Sequence, residues 1–110
     1  MANTFKNAIT GSIGTTGVTV YTVPSSTVST IIGVNVANVS ANNIGVTVNL
    51  TDTSAAKTVS LIKNVLISPS SSIVVAGGEQ KIVLEASDYL HVTSSVAASA
   101  DIIISLLEMT

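Results

Sequence analysis

The sequence predicts an all-β domain: an antiparallel β-sandwich of about eight short strands, in Ig-like or jelly-roll order, preceded by an N-terminal arm. Three observations carry this. Val, Ile and Thr make up 42 of the 110 residues, and β-branched side chains lose rotamer freedom in helices but pack well on a pleated sheet. From Gly17 onward apolar residues recur at a period of two, the spacing of a strand with one buried face. Clusters of Gly, Pro, Ser and Asn interrupt these runs at short, regular intervals, as in a sandwich or barrel and unlike an α/β chain.

Residues 1–14 show no such alternation. Phe5, Ile9 and Ile13 are four apart, which would align them on one face of a helix. Gly11 and Gly14 weaken any helix there, and Thr15-Thr16-Gly17 has the composition of a turn. We expect residues 1–14 to form an arm that docks Phe5, Ile9 and Ile13 on a neighbour, and residues 15–110 to form the single sandwich domain.

The first strand of that domain runs from Val18 to Val23 and is closed by Pro24, which cannot donate to a ladder. The next spans Thr27 to Val39, with Val28, Thr30, Ile32, Val34 and Val36 expected on one face and a bulge expected at Gly33. Beyond the Ala41-Asn42-Asn43 turn lies the cleanest alternation. There Ile44, Val46, Val48 and Leu50 should face in, and Gly45, Thr47, Asn49 and Thr51 out.

After the Asp52–Ala56 loop, Lys57 to Ile67 alternates with Val59, Leu61 and Val65 inward, and Lys63 interrupts the row. A Lys placed inward or on an edge is a device against edge-to-edge pairing. Ser68-Pro69-Ser70-Ser71 turns the chain into Ser72–Ala76, and Gly77-Gly78 turns it again. Gln80–Glu85 follows with Ile82 and Leu84 on one face. A tight turn at Glu85–Asp88 leads to Tyr89–Ser94, with Leu90 and Val92 inward, and Ala100–Met109 is the last strand.

Composition excludes several classes of function. With no Arg, four Lys and a formal charge of −2, the chain lacks the clustered cations that nucleic-acid binding requires. No Cys is present, which removes a disulfide framework and thiolate metal sites. The longest apolar stretch, Ile102–Leu107, falls far short of the roughly 20 residues that span a bilayer, so no membrane partner is expected. The opening residues lack the apolar core of a signal peptide, and synthesis in the cytoplasm is expected. A folded monomer of this mass exposes about 5,700 Å², served by ten charged side chains. A surface so poor in charge is weakly protected against association, which favours a subunit covered by partners.

Catalytic and ligand-binding constellations are not assembled by the sequence. His91 is the single His, placed opposite Leu90 and Val92 on its strand. Asp88 and Asp101 would have to orient it as the base for a nucleophilic Ser, and no Gly-x-Ser-x-Gly elbow accompanies them. One His without Cys leaves a zinc site short of ligands. Among the carboxylates Asp52, Glu79, Glu85, Asp88, Asp101 and Glu108, the pair Glu85/Asp88 is brought close by a turn, where Asp ordinarily caps. Asp52-Thr53-Ser54 lacks the spaced oxygen ladder of a calcium loop, and Gly77-Gly78 precedes a strand where a phosphate cradle needs a helix. Aromatic platforms for sugars are limited to Tyr21, Tyr89 and Phe5. The sequons at Asn38 and Asn49 stand in a chain rich in Asn, Ser and Thr, and we read them as chance. The expectation is a non-enzyme with no cofactor and no metal.

Several segments together resemble small β-sandwich virion structural proteins of tailed bacteriophages. They are Met1–Ala8, Thr19-Val20-Tyr21-Thr22-Val23-Pro24, Pro69–Val75, Lys81–Val92 and Ile104–Thr110. The resemblance implies a capsid decoration or cement protein that sits on or between major capsid protein subunits and strengthens the shell. It implies dimers or trimers and a location in the virion capsid. The alternatives are a neck or tail accessory, or a receptor- or glycan-binding virion module. No catalytic or ligand residue carries over. Ser87 stands where such proteins often have Gly in the turn, which leaves the turn type open.

Overall fold

The computed structural model describes residues 3–77 and 81–110. These form nine strands: β1 (Asn3–Ile13), β2 (Val18–Thr22), β3 (Val28–Asn38), β4 (Ile44–Asp52), β5 (Lys57–Ile67), β6 (Ser72–Ala76), β7 (Ile82–Leu84), β8 (Tyr89–Ser94) and β9 (Ala100–Met109). Gly78, Glu79 and Gln80, with the expectations placed on them, lie outside the described residues.

The strands make two antiparallel sheets. The first has the order β1-β9-β3-β6, with β7 also paired to β3; the second has the order β2-β8-β4-β5. In the first sheet no two paired strands are consecutive in the chain, whereas an Ig-like order keeps sequential strands side by side. The chain passes from sheet to sheet through β1, β2, β3 and β4, and its first and last strands are neighbours. The order is that of a jelly roll, which decides between the two alternatives the sequence left open.

Between the sheets lies one apolar layer. Ile31, Val34, Val36, Ile104 and Leu106 of the first sheet meet Ile44, Val46, Val48, Leu90 and Val92 of the second, each at most 1% exposed. The inward row expected for β4 is observed, with Leu50 partly buried at its end.

The segment expected as an arm is instead β1, bonded along β9 from Asn3↔Met109 to Ile13↔Ala100. Its composition hid the strand, because an edge strand with one solvated face and polar residues on the other shows no apolar alternation. Ile13 is a second correction. Phe5 and Ile9 share the outer face, but a register shift between Thr10 and Ile13, with Ser12 at φ 55°, turns Ile13 into the core at 2% exposure.

Bulges displace other expected rows in the same way, since one extra residue inverts the facing of all that follow. On β3 the register shifts between Ile31 and Gly33. Ser29 and Ile31 are therefore buried before it, and Val34, Val36 and Asn38 after it. Val34 and Val36 match expectation, while Val28, Thr30 and Ile32 do not join them. The bulge itself lies beside Gly33, where the sequence placed it. On β5 the register shifts around Leu61, and Ile62 takes the place opposite Val48. On β2 a shift between Thr19 and Tyr21 sends Tyr21 inward, opposite Leu90.

Candidate functional site: two unlike sheet faces

Residues directly opposite in an antiparallel pair stand on the same side of the sheet, so the registers assign every outward position. On the first sheet the outer rows run Phe5–Leu107–Thr30–Val83 and Ile9–Ile103–Asn35–Val74, with Met109 and Val28 at one end. Phe5 is 76% exposed, Val74 72%, Ile9 69%, Val83 62% and Ile103 43%. Asp101 is the one ionisable residue among these outward register positions, and its Oδ1 accepts from the Ser12 amide at 3.0 Å. Between these rows runs a polar one, Asn7–Ser105–Gly33, so the outer face is nearly uncharged and sets bare apolar side chains among Asn, Ser and Thr.

The outer face of the second sheet has the opposite character. Its rows are Thr19–His91–Asn49–Ser60 and Thr22–Tyr89–Thr51–Thr58, followed by Thr93–Thr47. Their hydroxyls and amides bond to one another, Thr51 to Thr58 at 2.8 Å and the Ser60 hydroxyl to Asn49 Oδ1 at 2.7 Å. Seven of these residues, Tyr89 and His91 among them, line a shallow depression of about 700 Å³. Neutral hydroxyls beside one aromatic ring offer hydrogen bonds to a polyol and no strong charge.

Lysines mark the sheet edges. Lys6 lies on β1, Lys57 and Lys63 on β5, and Lys81 immediately before β7, and these strands are edges of their sheets. The remaining edges, β2 and β6, are five residues long and irregular in register. Short strands, bulges and edge Lys are the features that block strand addition. Lys63 is exposed on an edge, one of the two placements the sequence allowed.

A polar cluster joins the sheets at one end. The Tyr21 hydroxyl donates to Glu108 Oε2 at 2.6 Å and, its own proton so used, accepts from the buried Ser29 hydroxyl at 2.6 Å. Lys6 Nζ reaches Glu108 Oε1 at 3.4 Å. Burial, and then the hydrogen bond to the Glu108 carboxylate, push the Tyr21 hydroxyl up to about 12.

The carboxylates weighed from sequence fall into structural places. Asp88 is 2% exposed; its Oδ1 accepts from the Thr53 amide and its Oδ2 from the Glu85 amide, at 3.1 and 2.9 Å. It thus caps its own turn and ties it to the β4–β5 loop. The turn closes with the Asp88 amide on the Glu85 carbonyl at 3.0 Å, and Ser87 takes φ 73°, a conformation suited to Gly. Asp52 lies within 4.8 Å of Glu85 and Asp88, a proximity the sequence did not show. Hydrogen bonds from the Ser54 hydroxyl and the Ala55 amide hold its pKa below the usual value.

His91 Nδ1 stands 3.4 Å from the Thr19 hydroxyl, while Asp88 and Asp101, its candidate orienting groups, are held elsewhere by backbone amides. Gly17 passes under the ring: at φ 77° a Cβ there would lie 2.6 Å from His91 Nε2. Asn38, the first sequon residue, is 2% exposed, and its amide nitrogen donates to the Asn42 and Ile67 carbonyls. The second, Asn49, accepts from Ser60 on the polar face.

Phe5 and Ile9, expected to dock on a neighbour, are exposed, and Ile103, Val74 and Val83, which share their face, were not singled out by the sequence. A signal for them exists. Ile73-Val74-Val75, Ile82-Val83-Leu84 and Ile102-Ile103-Ile104 are unbroken apolar runs, the pattern of strands covered on both faces.

No family model and no curated protein matches the chain. Among solved structures, it is similar to a chain from Bacillus endospore appendages, a family of disulfide-linked pili. The TM-score is 0.59 and the identity 12%, over 98% of this chain and 88% of that one. This chain has no Cys, so disulfide linkage has no counterpart in it. A weaker likeness joins it to a chain of infectious bursal disease virus, Gx strain. There the TM-score is 0.47 at 8% identity, over 98% of this chain and 37% of that one. At 12% identity the first of these likenesses shows the fold alone.

Proposed function

We propose that this chain is a structural subunit of a virion shell, a capsid cement or decoration protein that binds the major capsid protein and copies of itself. The observation that carries this reading is the contrast between the outer faces. One leaves Phe5, Ile9, Val74, Val83 and Ile103 bare among neutral polar residues, and the other carries mostly hydroxyls and amides, with Leu66 exposed at its β5 edge. An exposed apolar patch of this extent marks a protein-interaction site, and a shell subunit needs one hidden and one wet surface. The fold shared with a pilus-forming chain and the resemblance of Lys81–Val92 and Ile104–Thr110 to phage virion proteins agree with it. The reading makes the protein a non-enzyme, made in the host cytoplasm and located in the capsid.

The test is its copy number in purified particles, set against the major capsid protein, together with binding of the pure protein to capsids lacking it. A copy number scaling with the shell lattice and saturable binding to bare capsids are expected. A copy number matching a single ring would move the protein to the neck or tail. Absence from particles and no binding to shells would sink the reading.

The polar depression around Tyr89 and His91 favours a second reading, a glycan-binding virion module. Saturable binding to defined oligosaccharides, lost in Tyr89→Ala, would support it over cement.

A further inference from the structure

We infer that the outer face of the β1-β9-β3-β6/β7 sheet is covered by the same face of a second copy of this chain, forming a two-fold dimer. The inference deepens the structural-subunit reading by naming the surface and its occupant. Four observations lead there.

The strands of this sheet carry apolar residues on both faces, through Ile73-Val74-Val75, Ile82-Val83-Leu84 and Ile102-Ile103-Ile104, yet the chain's own fold covers only one of them. In the other sheet β4 alternates apolar with Thr or Asn, as in Val46-Thr47-Val48-Asn49, and needs no second cover; β5, at its edge, exposes Leu66 on that outer side.

The edges are closed to partners, because Lys6, Lys57, Lys63 and Lys81 stand on or beside edge strands and the others are short. Assembly by strand addition is thereby disfavoured, and the face remains.

The area fits. β1, β9 and β3 are 10 or 11 residues long, and β6 and β7 together supply 8 in the fourth position; at about 3.3 Å per residue and about 4.8 Å between strands the face is about 630 Å². One side of a standard protein interface is about 800 Å².

The charge fits a copy of the same face in particular. Along the paired rows Asp101 is the one ionisable residue, and it lies at one end of the sheet with its Oδ1 on the Ser12 amide. Packing the face on itself brings no like charges together at its centre. Two such faces stack as sheets do elsewhere, about 10 Å apart with strands near −30°, and a two-fold axis closes the contact without leaving a second sticky surface.

Sedimentation equilibrium of the pure full-length protein tests this without any capsid present. A reversible dimer is expected. Ile103→Asp, on the inner strand β9, and, separately, Val74→Lys, on the edge strand β6, should each weaken it at least about tenfold, as charges buried within an interface do. Their circular dichroism should match wild type, since both side chains are exposed in the monomer. Lys63→Thr on the β5 edge should leave the dimer unchanged. A wild-type monomer, a closed trimer, or a dimer insensitive to both face substitutions would overturn the inference. If the monomer still binds bare capsids and Ile103→Asp abolishes that binding, the major capsid protein is the occupant, and the shell reading stands while the dimer falls.

Discussion

Ile9 on β1 stands directly opposite Ile103 on β9, and both side chains point away from the core, 69% and 43% exposed. The next residue, Ile104, is fully buried between the sheets. Adjacent isoleucines thus serve opposite sides of one strand. Ile104→Ala should cost about 2–5 kcal/mol in urea unfolding, as buried truncations do. Ile103→Thr should change the stability of the dilute monomer by less than about 0.5 kcal/mol. Equal losses at both positions would show that the assigned facing of β9 is wrong.

Tyr21 and Glu108 make stability depend on alkaline pH. The Tyr21 hydroxyl titrates near 12 in the folded chain against an ordinary 10, so between these values the folded state holds a proton that the unfolded state has lost. The contribution is complete below pH 10 and is lost as pH rises through 12. Unfolding free energy should fall across that window, and Tyr21→Phe should remove this component of the slope while lowering stability at neutral pH.

Asp88 holds two backbone amides from different loops, those of Thr53 and Glu85. Asp88→Ala removes a buried carboxylate that accepts from both part-buried amides, and we expect a loss of about 1–3 kcal/mol. Hydrogen exchange at Thr53 and Glu85 should accelerate before that of the β4 core. A neutral effect would show that the turn holds without its cap.

Gly17 combines φ 77° with a close approach to His91. Gly17→Ala should destabilise by about 1–3 kcal/mol, from backbone strain plus the displaced imidazole. Adding His91→Ala should recover part of the loss, since it removes the imidazole contact and leaves the strain and the approach to Thr93 Oγ1, 2.7 Å from the added Cβ. Thermal denaturation of the four proteins in the cycle measures both parts.

Much of the strand pattern was legible because the alternation is local. Ile44 through Val48 and Leu90 with Val92 announce which side is buried, and Pro24 and Asn42-Asn43 announce where strands stop. Gly33 announced its bulge, but not that Val28 and Thr30 would thereby lose their place beside Val34. β1 was illegible because Phe5 and Ile9 face away from the core and Lys6 and Thr10 face toward it. Asn3 and Asn7 alternate with Phe5 and Ile9 on that outer side, so no apolar row at period two marks the strand. The contact of Asp52 with Glu85 and Asp88 joins residues over thirty positions apart, and no local rule reports such a meeting.

By itself the sequence determined that the chain is all-β, where most turns fall, and that its surface carries little charge. Those properties follow from side-chain sterics and from counts, which act residue by residue. The tertiary structure decided which strands pair, that Ile13 enters the core while Phe5 and Ile9 do not, and that Phe5, Ile9, Val28, Val74, Val83 and Ile103 share one outer face while Val59 and Leu66 are exposed on the other sheet. Pairing and bulges set those outcomes. A single displaced residue inverts every side chain after it, and only the hydrogen-bonded neighbour fixes where the displacement occurs.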